Sequence, residues 1–383
     1  MNKTKLRRNL SILVLALSMP PVRPQAAETN PHQVLAEFPI EPNSDLILLP
    51  VSVGGKERNF LLDTGSTVSV FDRSLSSGTP VRMITVGPPS GRPVEKGLYE
   101  PPKASVGGLD MRPAGPVLYS NFSAMRAVSD RDIWGLIGMQ FLKSYIVQVD
   151  FDARKVRLLD PRTISREDWG APVPMRINGS GLPEIEARIE GQNPVIFVID
   201  TGDNGGGNLS RSLFELLFPE QKNARVKNLM FTGMRASPSG RAPTLSIGAL
   251  SLPGIVFESA RISSLGLTLL RRCTATFDFP RGTLYLKPGK QFNVAEDADM
   301  SGLHLLRLEG RIVALAVDPG SPAAQAGLLD GDVVLGAEGH PETGRDLVAL
   351  RRLLSSGDGR RVTLNVLRDG RPIPVELSLR KLL

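Results

Sequence analysis

The tripeptide Asp-Thr-Gly occurs twice in this chain, as Asp63-Thr64-Gly65 and Asp200-Thr201-Gly202, and each copy closes the same longer pattern. The first pattern runs from Ile47 through the Gly54-Gly55 turn and the apolar run Phe60-Leu61-Leu62. The second runs from Leu182 through Gly191-Gln192-Asn193-Pro194 and Ile196-Phe197-Val198-Ile199. Each reads as strand, turn, buried strand, then Asp-Thr-Gly. One such tripeptide arises by chance in a chain of this length on the order of one time in ten. Two copies inside one repeat leave little room for coincidence.

The likeness continues downstream. Leu136-Ile137-Gly138 is followed thirteen residues after its glycine by Phe151, and Leu265-Gly266 thirteen residues after its glycine by Phe279. Each copy ends on a short strand, Lys155–Leu159 or Thr283–Leu286. A repeat of more than about a hundred residues is a duplicated domain and not a solenoid unit. The expected lobes span residues 36–165 and 170–290, with a polar linker at Asn293–Met300 and a further domain at 298–383. Each lobe has room for a β-hairpin, the first within Met83–Val106 and broken at Gly87–Gly91, the second within Val226–Leu245 and broken at Ser237-Pro238-Ser239-Gly240. Abundant glycine (38) and proline (31) with sparse aromatics favour short strands over a helical bundle, so the fold class is mainly β.

The formal charge of +7 invites a nucleic-acid reading that does not survive inspection. Residues 1–27 hold five basic groups (Lys3, Lys5, Arg7, Arg8, Arg23) and no acidic ones, so the remainder carries 7 − 5 = +2. No basic stripe is left to track a phosphate backbone. The same segment, basic residues before the apolar run Leu10–Met19 and the small pair Ala26-Ala27, reads as a signal peptide. Export to the periplasm or medium is expected, with no transmembrane anchor once the leader is removed. Cys273 is the one cysteine, which excludes an intramolecular disulfide and is expected in the core.

Two carboxylates a few ångströms apart cannot both ionise comfortably, so they hold one proton between them. The ionised member can take a proton from water while the protonated member polarises a carbonyl. In Asp-Thr-Gly the threonine hydroxyl can hydrogen-bond across the pair, and the glycine allows close approach and unusual dihedrals.

On these residues the chain resembles the retropepsin-like aspartic peptidases, in the bacterial exported group with two lobes followed by a PDZ domain. The resemblance implies two acid-protease β-barrel lobes, Asp63 and Asp200 as the catalytic dyad across a pseudo-twofold axis, and two hairpin flaps over a polypeptide substrate. Thr64, Gly65, Ser66, Thr201 and Gly202 match the dyad-supporting positions. Asp203 departs from the pattern, and either raises the pair's pKa values or points to solvent; the solvent orientation is the expectation. Ser264-Leu265-Gly266 is less apolar than its counterpart, which marks the second lobe as more divergent.

Beyond Met300, the run Pro319-Gly-Ser-Pro-Ala-Ala324, then Ala326-Gly-Leu328 and Gly331-Asp-Val-Val334, resembles bacterial PDZ domains. An amphipathic helix is expected at about Arg345–Leu354, with Leu347, Leu350 and Leu354 on one face. The resemblance implies capture of peptide C-termini as an added strand. Gly302-Leu303-His304-Leu305 would form the carboxylate loop, with the N–H groups of Leu303, His304 and Leu305 as donors and His304 itself facing solvent. A module that packs on the lobes without a free ligand is the alternative. For the whole chain, an endopeptidase stands against a non-catalytic peptide-binding scaffold. A serine peptidase lacks Gly-x-Ser-x-Gly, and a metalloenzyme lacks ligands. No cofactor or metal is expected.

Overall fold

The computed structural model describes residues 34–42, 44–76, 78–86, 94–162, 168–220, 225–230, 233–295 and 298–382. The proposed leader at 1–27 and the first hairpin's tip at 87–93 lie outside the described residues. Among the described residues three sheets of thirteen, nine and five strands carry the fold, with short helices between them, and the mainly β class expected from the glycine- and proline-rich composition is what forms.

In the first lobe the strand Lys56–Leu62 delivers its last residues into the core, and Phe60 and Leu62 are fully buried. Ile133–Ile137 pairs parallel to it and antiparallel to Val70–Asp72, which in turn runs parallel to Val117–Ser120. The second lobe repeats this. Val195–Ile199 pairs parallel with Ser264–Leu265, which is antiparallel to Gly207–Ser210, itself parallel to Leu250–Ala260. Phe60 and Phe197, each three residues before its aspartate, are both fully buried. Removing such a ring from water stabilises by about 1.5–3 kcal/mol. Both strands are therefore anchored immediately behind their Asp-Thr-Gly turns.

The lobes are joined by strand pairing. Ile146–Asp150 of the first lobe lies antiparallel to Cys273–Asp278 of the second, and the order across this region, Val34–Pro39, Lys155–Leu159, Ile146–Asp150, Cys273–Asp278, Thr283–Pro288, Ala171–Ile177, is symmetric about that central pair. At its middle Gln148 Nε2 donates to Thr276 Oγ1 at 3.0 Å, both side chains buried. Cys273 is buried in this core, and burial pushes its thiol up to about 12, which suits packing and not nucleophilic work.

Arg82–Val86 and Val94–Tyr99 form the first hairpin. The second differs from expectation. Ser237-Pro238-Ser239-Gly240 does not break it; the strand Gly233–Ile247 runs straight through, paired first with Arg225–Met230 and then with Leu250–Ala260. The exchange of partners falls between Pro238 and Ser239. A proline lacks the N–H that a two-sided ladder needs, and a point where pairing passes from one neighbour to the other tolerates it.

The C-terminal module has its own core. Its sheet runs in the order Leu303–Leu308, Arg311–Val317, Val333–Ala337, Arg361–Arg368, Arg371–Ser378. The helix Leu347–Leu354 packs Leu347, Leu350 and Leu354 against it. Asp346 caps that helix, accepting from the N–H groups of Val348 and Ala349 at 2.9 Å.

Candidate active site and peptide groove

The two Asp-Thr-Gly turns meet each other. Thr64 Oγ1 donates to Ile199 O at 2.7 Å and accepts from Thr201 N–H at 3.0 Å. Thr201 Oγ1 donates to Leu62 O at 2.8 Å and accepts from Thr64 N–H at 3.0 Å. Both threonines are fully buried, so each hydroxyl satisfies a donor and an acceptor on the opposite lobe that water cannot reach. This reciprocal clasp holds the aspartates in register.

Asp63 and Asp200 lie within hydrogen-bonding reach of each other. Backbone N–H groups of Gly65 and Ser66 face the Asp63 carboxyl, and Asp200 Oδ1 accepts from Gly202 N–H at 2.9 Å and Asp203 N–H at 3.2 Å. Ser66 Oγ donates to Val68 O at 2.8 Å, bracing the first turn. The glycines serve a narrower purpose than expected. Neither Gly65 nor Gly202 has positive φ. What each provides is space: a Cβ on Gly202 would sit 2.6 Å from Asp63 Cγ, and one on Gly65 would meet the Asp200 carboxyl more closely still.

Burial raises Asp63 to about 6, with the charge of Asp203 adding to the effect. Asp200 is raised well above the ordinary carboxylate value by burial, then by the charges of Asp63 and Asp203. The pair accordingly holds a shared proton more firmly than two ordinary carboxyls would.

Asp203 does not point to solvent. Its Oδ1 accepts from Gly205 N–H at 2.9 Å and its Oδ2 from Asn208 Nδ2 at 2.8 Å. Asn208 also donates to Ser264 Oγ at 2.9 Å, which accounts for the polar residue in Ser264-Leu265-Gly266. The glycine-rich turn folds the carboxylate inward, where these donors replace water. Nothing in the sequence singles out Asn208; its contacts arise only when the strands Gly207–Ser210 and Ser264–Leu265 pair. Removing the third charge eases ionisation of the pair, so Asp203→Asn is expected to move the acidic limb of any pH–rate profile to lower pH. A limb at the same pH in both proteins, read from initial rates on one peptide, would show that the charge is screened.

A second candidate site lies in the C-terminal module, at the edge strand Leu303–Leu308 and the helix Leu347–Leu354. Gly302 takes φ 69°, and a Cβ there would meet Ser321. Of the expected loop donors, the Leu303 N–H is already engaged. Asp299 accepts from Ser301 N–H at 3.1 Å and Gly302 N–H at 2.6 Å, and Leu303 N–H donates to Ser301 Oγ at 3.1 Å. His304 does not face solvent either: its Nε2 lies 2.9 Å from Asp318 Oδ2, with the ring only 15% exposed. Asp318, on the turn that follows the strand Arg311–Val317, is brought to it by the strand pairing of Leu303 with Val317.

This combination of edge strand, glycine-led loop and flanking helix places the module. Residues 313–368 match the family model of the PDZ domain. The PDZ domain is a peptide-binding module, so peptides or regulation through peptides follow as its class of partner. The match covers the three middle strands of the last sheet and the helix, but not the outer strands Leu303–Leu308 and Arg371–Ser378, and it leaves the two lobes without a family assignment. No curated protein matches the chain. Among the described residues no cluster of three His, Cys, Asp or Glu side chains is placed to hold a metal, and no helix is long and apolar enough to cross a membrane.

Proposed function

We propose that this chain is an exported aspartic-type endopeptidase of the retropepsin-like kind, with Asp63 and Asp200 as its catalytic pair and the PDZ domain recruiting or gating polypeptide substrates. One observation carries the reading: two carboxyls, buried Asp63 and half-buried Asp200, one from each duplicated lobe, are held together by the reciprocal Thr64–Thr201 clasp. A scaffold that merely captured peptides would have no use for two carboxyls brought together at such electrostatic cost.

In this reading the ionised aspartate removes a proton from water as the water oxygen attacks the scissile carbonyl carbon. The protonated aspartate gives its proton to the carbonyl oxygen, forming a tetrahedral diol. Transfer of a proton to the amide nitrogen then lets the C–N bond break, leaving a carboxylic acid and an amine. No covalent acyl intermediate is needed, and the pair returns to its singly protonated state. With Asp63 raised to about 6, the acidic limb of the profile should lie nearer 6 than the ordinary carboxylate value.

The test is incubation of the purified mature chain with a mixed peptide library across pH, beside Asp63→Asn and Asp200→Asn, with new termini identified by mass spectrometry. Cleavage by the wild type alone supports the proposal. Equal cleavage by all three eliminates the dyad, and intact peptides bound by all three leave the scaffold reading. Removal of residues from 298 onward should slow turnover of folded or long substrates more than that of short peptides.

A further inference from the structure

The strand Leu303–Leu308 is the outermost of its sheet, with Arg311–Val317 on one side. Its other edge is where strand addition would seat a peptide. Two guanidinium groups cross that gap. Arg307 Nη2, from the strand, donates to Arg345 O at the entry to the flanking helix at 2.7 Å. Arg351 Nη2, from the helix, donates to Leu305 O at 2.7 Å. The strand's Leu305 carbonyl is thus already engaged from the helix, and Arg307 ties the strand to the helix entry.

The first lobe completes the closure. Its helix Ser123–Ser129 packs against the strand Leu303–Leu308. Asp130, which ends that helix in the left-handed conformation (φ 57°), binds Arg307 as a fork, through Nε and through Nη2, the latter at 2.7 Å. Both side chains are about four-fifths buried, at 18% and 22% exposure, so this is no solvated surface pair. Arg351 lies in the field of Asp45 and Asp130, and Asp45 Oδ1 is buried without a hydrogen-bond partner. Two first-lobe carboxylates therefore face two groove arginines.

We propose that the first lobe is the resident occupant of the PDZ groove, with Asp130 as its anion, and that an acidic extended peptide opens the groove by taking Asp130's place on Arg307. Two buried guanidiniums need a counter-charge in either state, so an acidic ligand can exchange with the lobe where a neutral or basic one leaves them unpaired. Closed and ligand-bound domains are then alternatives, and the ligand's apparent affinity is reduced by the fraction of molecules that are closed. The proposal does not depend on the dyad.

The test uses the full chain in an Asp63→Asn background, so that no cleavage disturbs the probe. A fluorescent oligoglutamate peptide ending in valine with a free carboxylate is titrated by anisotropy. An oligolysine peptide of equal length is the control. Asp130→Asn keeps the size and the left-handed preference while dropping the charge. It is expected to bind the acidic probe about tenfold more tightly than the Asp130 protein. Hydrogen exchange should quicken along residues 303–308 while the strand Lys56–Leu62 stays protected. Arg307→Ala should weaken binding of the same probe. Unchanged affinity and exchange in Asp130→Asn would overturn the latch, and equal binding of oligolysine would overturn the acidic specificity.

Discussion

Asp63→Asn and Asp200→Asn should each lose hydrolysis by at least about 10²–10⁴ fold, the range that one positioned acid or base contributes, while unfolding at higher temperature than the wild type near neutral pH. The two halves of this expectation share one cause. Burial raises both carboxyls above their ordinary value near 3.8, Asp63 to about 6 with the charge of Asp203 adding, and Asp200 well above the ordinary value with the charges of Asp63 and Asp203 adding. Between those values the native chain binds more protons than the unfolded chain, so stability falls as pH rises through the window. For Asp63 alone, a rise of about two pH units corresponds to roughly 3 kcal/mol lost by neutral pH. The loss is absent below the unfolded value. An asparagine in either place removes the repulsion without removing the bulk. Calorimetry at pH 7 and pH 3.5, beside initial rates on one peptide, tests both halves. A variant as active as the wild type, or no convergence of the melting curves in acid, would refute the account.

Thr201→Val should cost about 2–4 kcal/mol, although valine nearly matches threonine in volume. The hydroxyl lost is the acceptor for Thr64 N–H and the donor to Leu62 O, in a place that water does not reach. An orphaned buried N–H costs about 1–3 kcal/mol, and the missing bond to the carbonyl adds about one more. In a two-lobed unit of this size the melting temperature should fall by roughly 5–15 °C. Thr201→Ser keeps the hydroxyl and should recover most of the loss. A valine variant that melts with the wild type would mean that the clasp holds geometry but contributes nothing to stability.

The mainly β class, the duplicated pattern and the PDZ-like tail were legible because each leaves a periodic or local trace: alternating and apolar runs, glycine turns, and a helix whose leucines recur on one face. Asp63 and Asp200 were marked for the same reason, as each ends an apolar run at a short and specific tripeptide. Errors arose where a residue's environment comes from chain far away in sequence. Ser237–Gly240 looks like a turn locally, yet the strand continues because two different partners take it in succession. Asp203 looks exposed until Asn208 is folded beside it. His304 looks like a strand residue facing water until Asp318 arrives across the sheet.

The sequence by itself determined which side chains are chemically able to act, because acidity, donor inventory and strand-ending glycines are local properties of the chain. Only the tertiary structure decided their protonation and availability. It brings the paired aspartates together, turns Asp203 inward and lays Asp130 onto Arg307 from 177 residues away. Desolvation and distance set those energies, and neither exists until the lobes have packed.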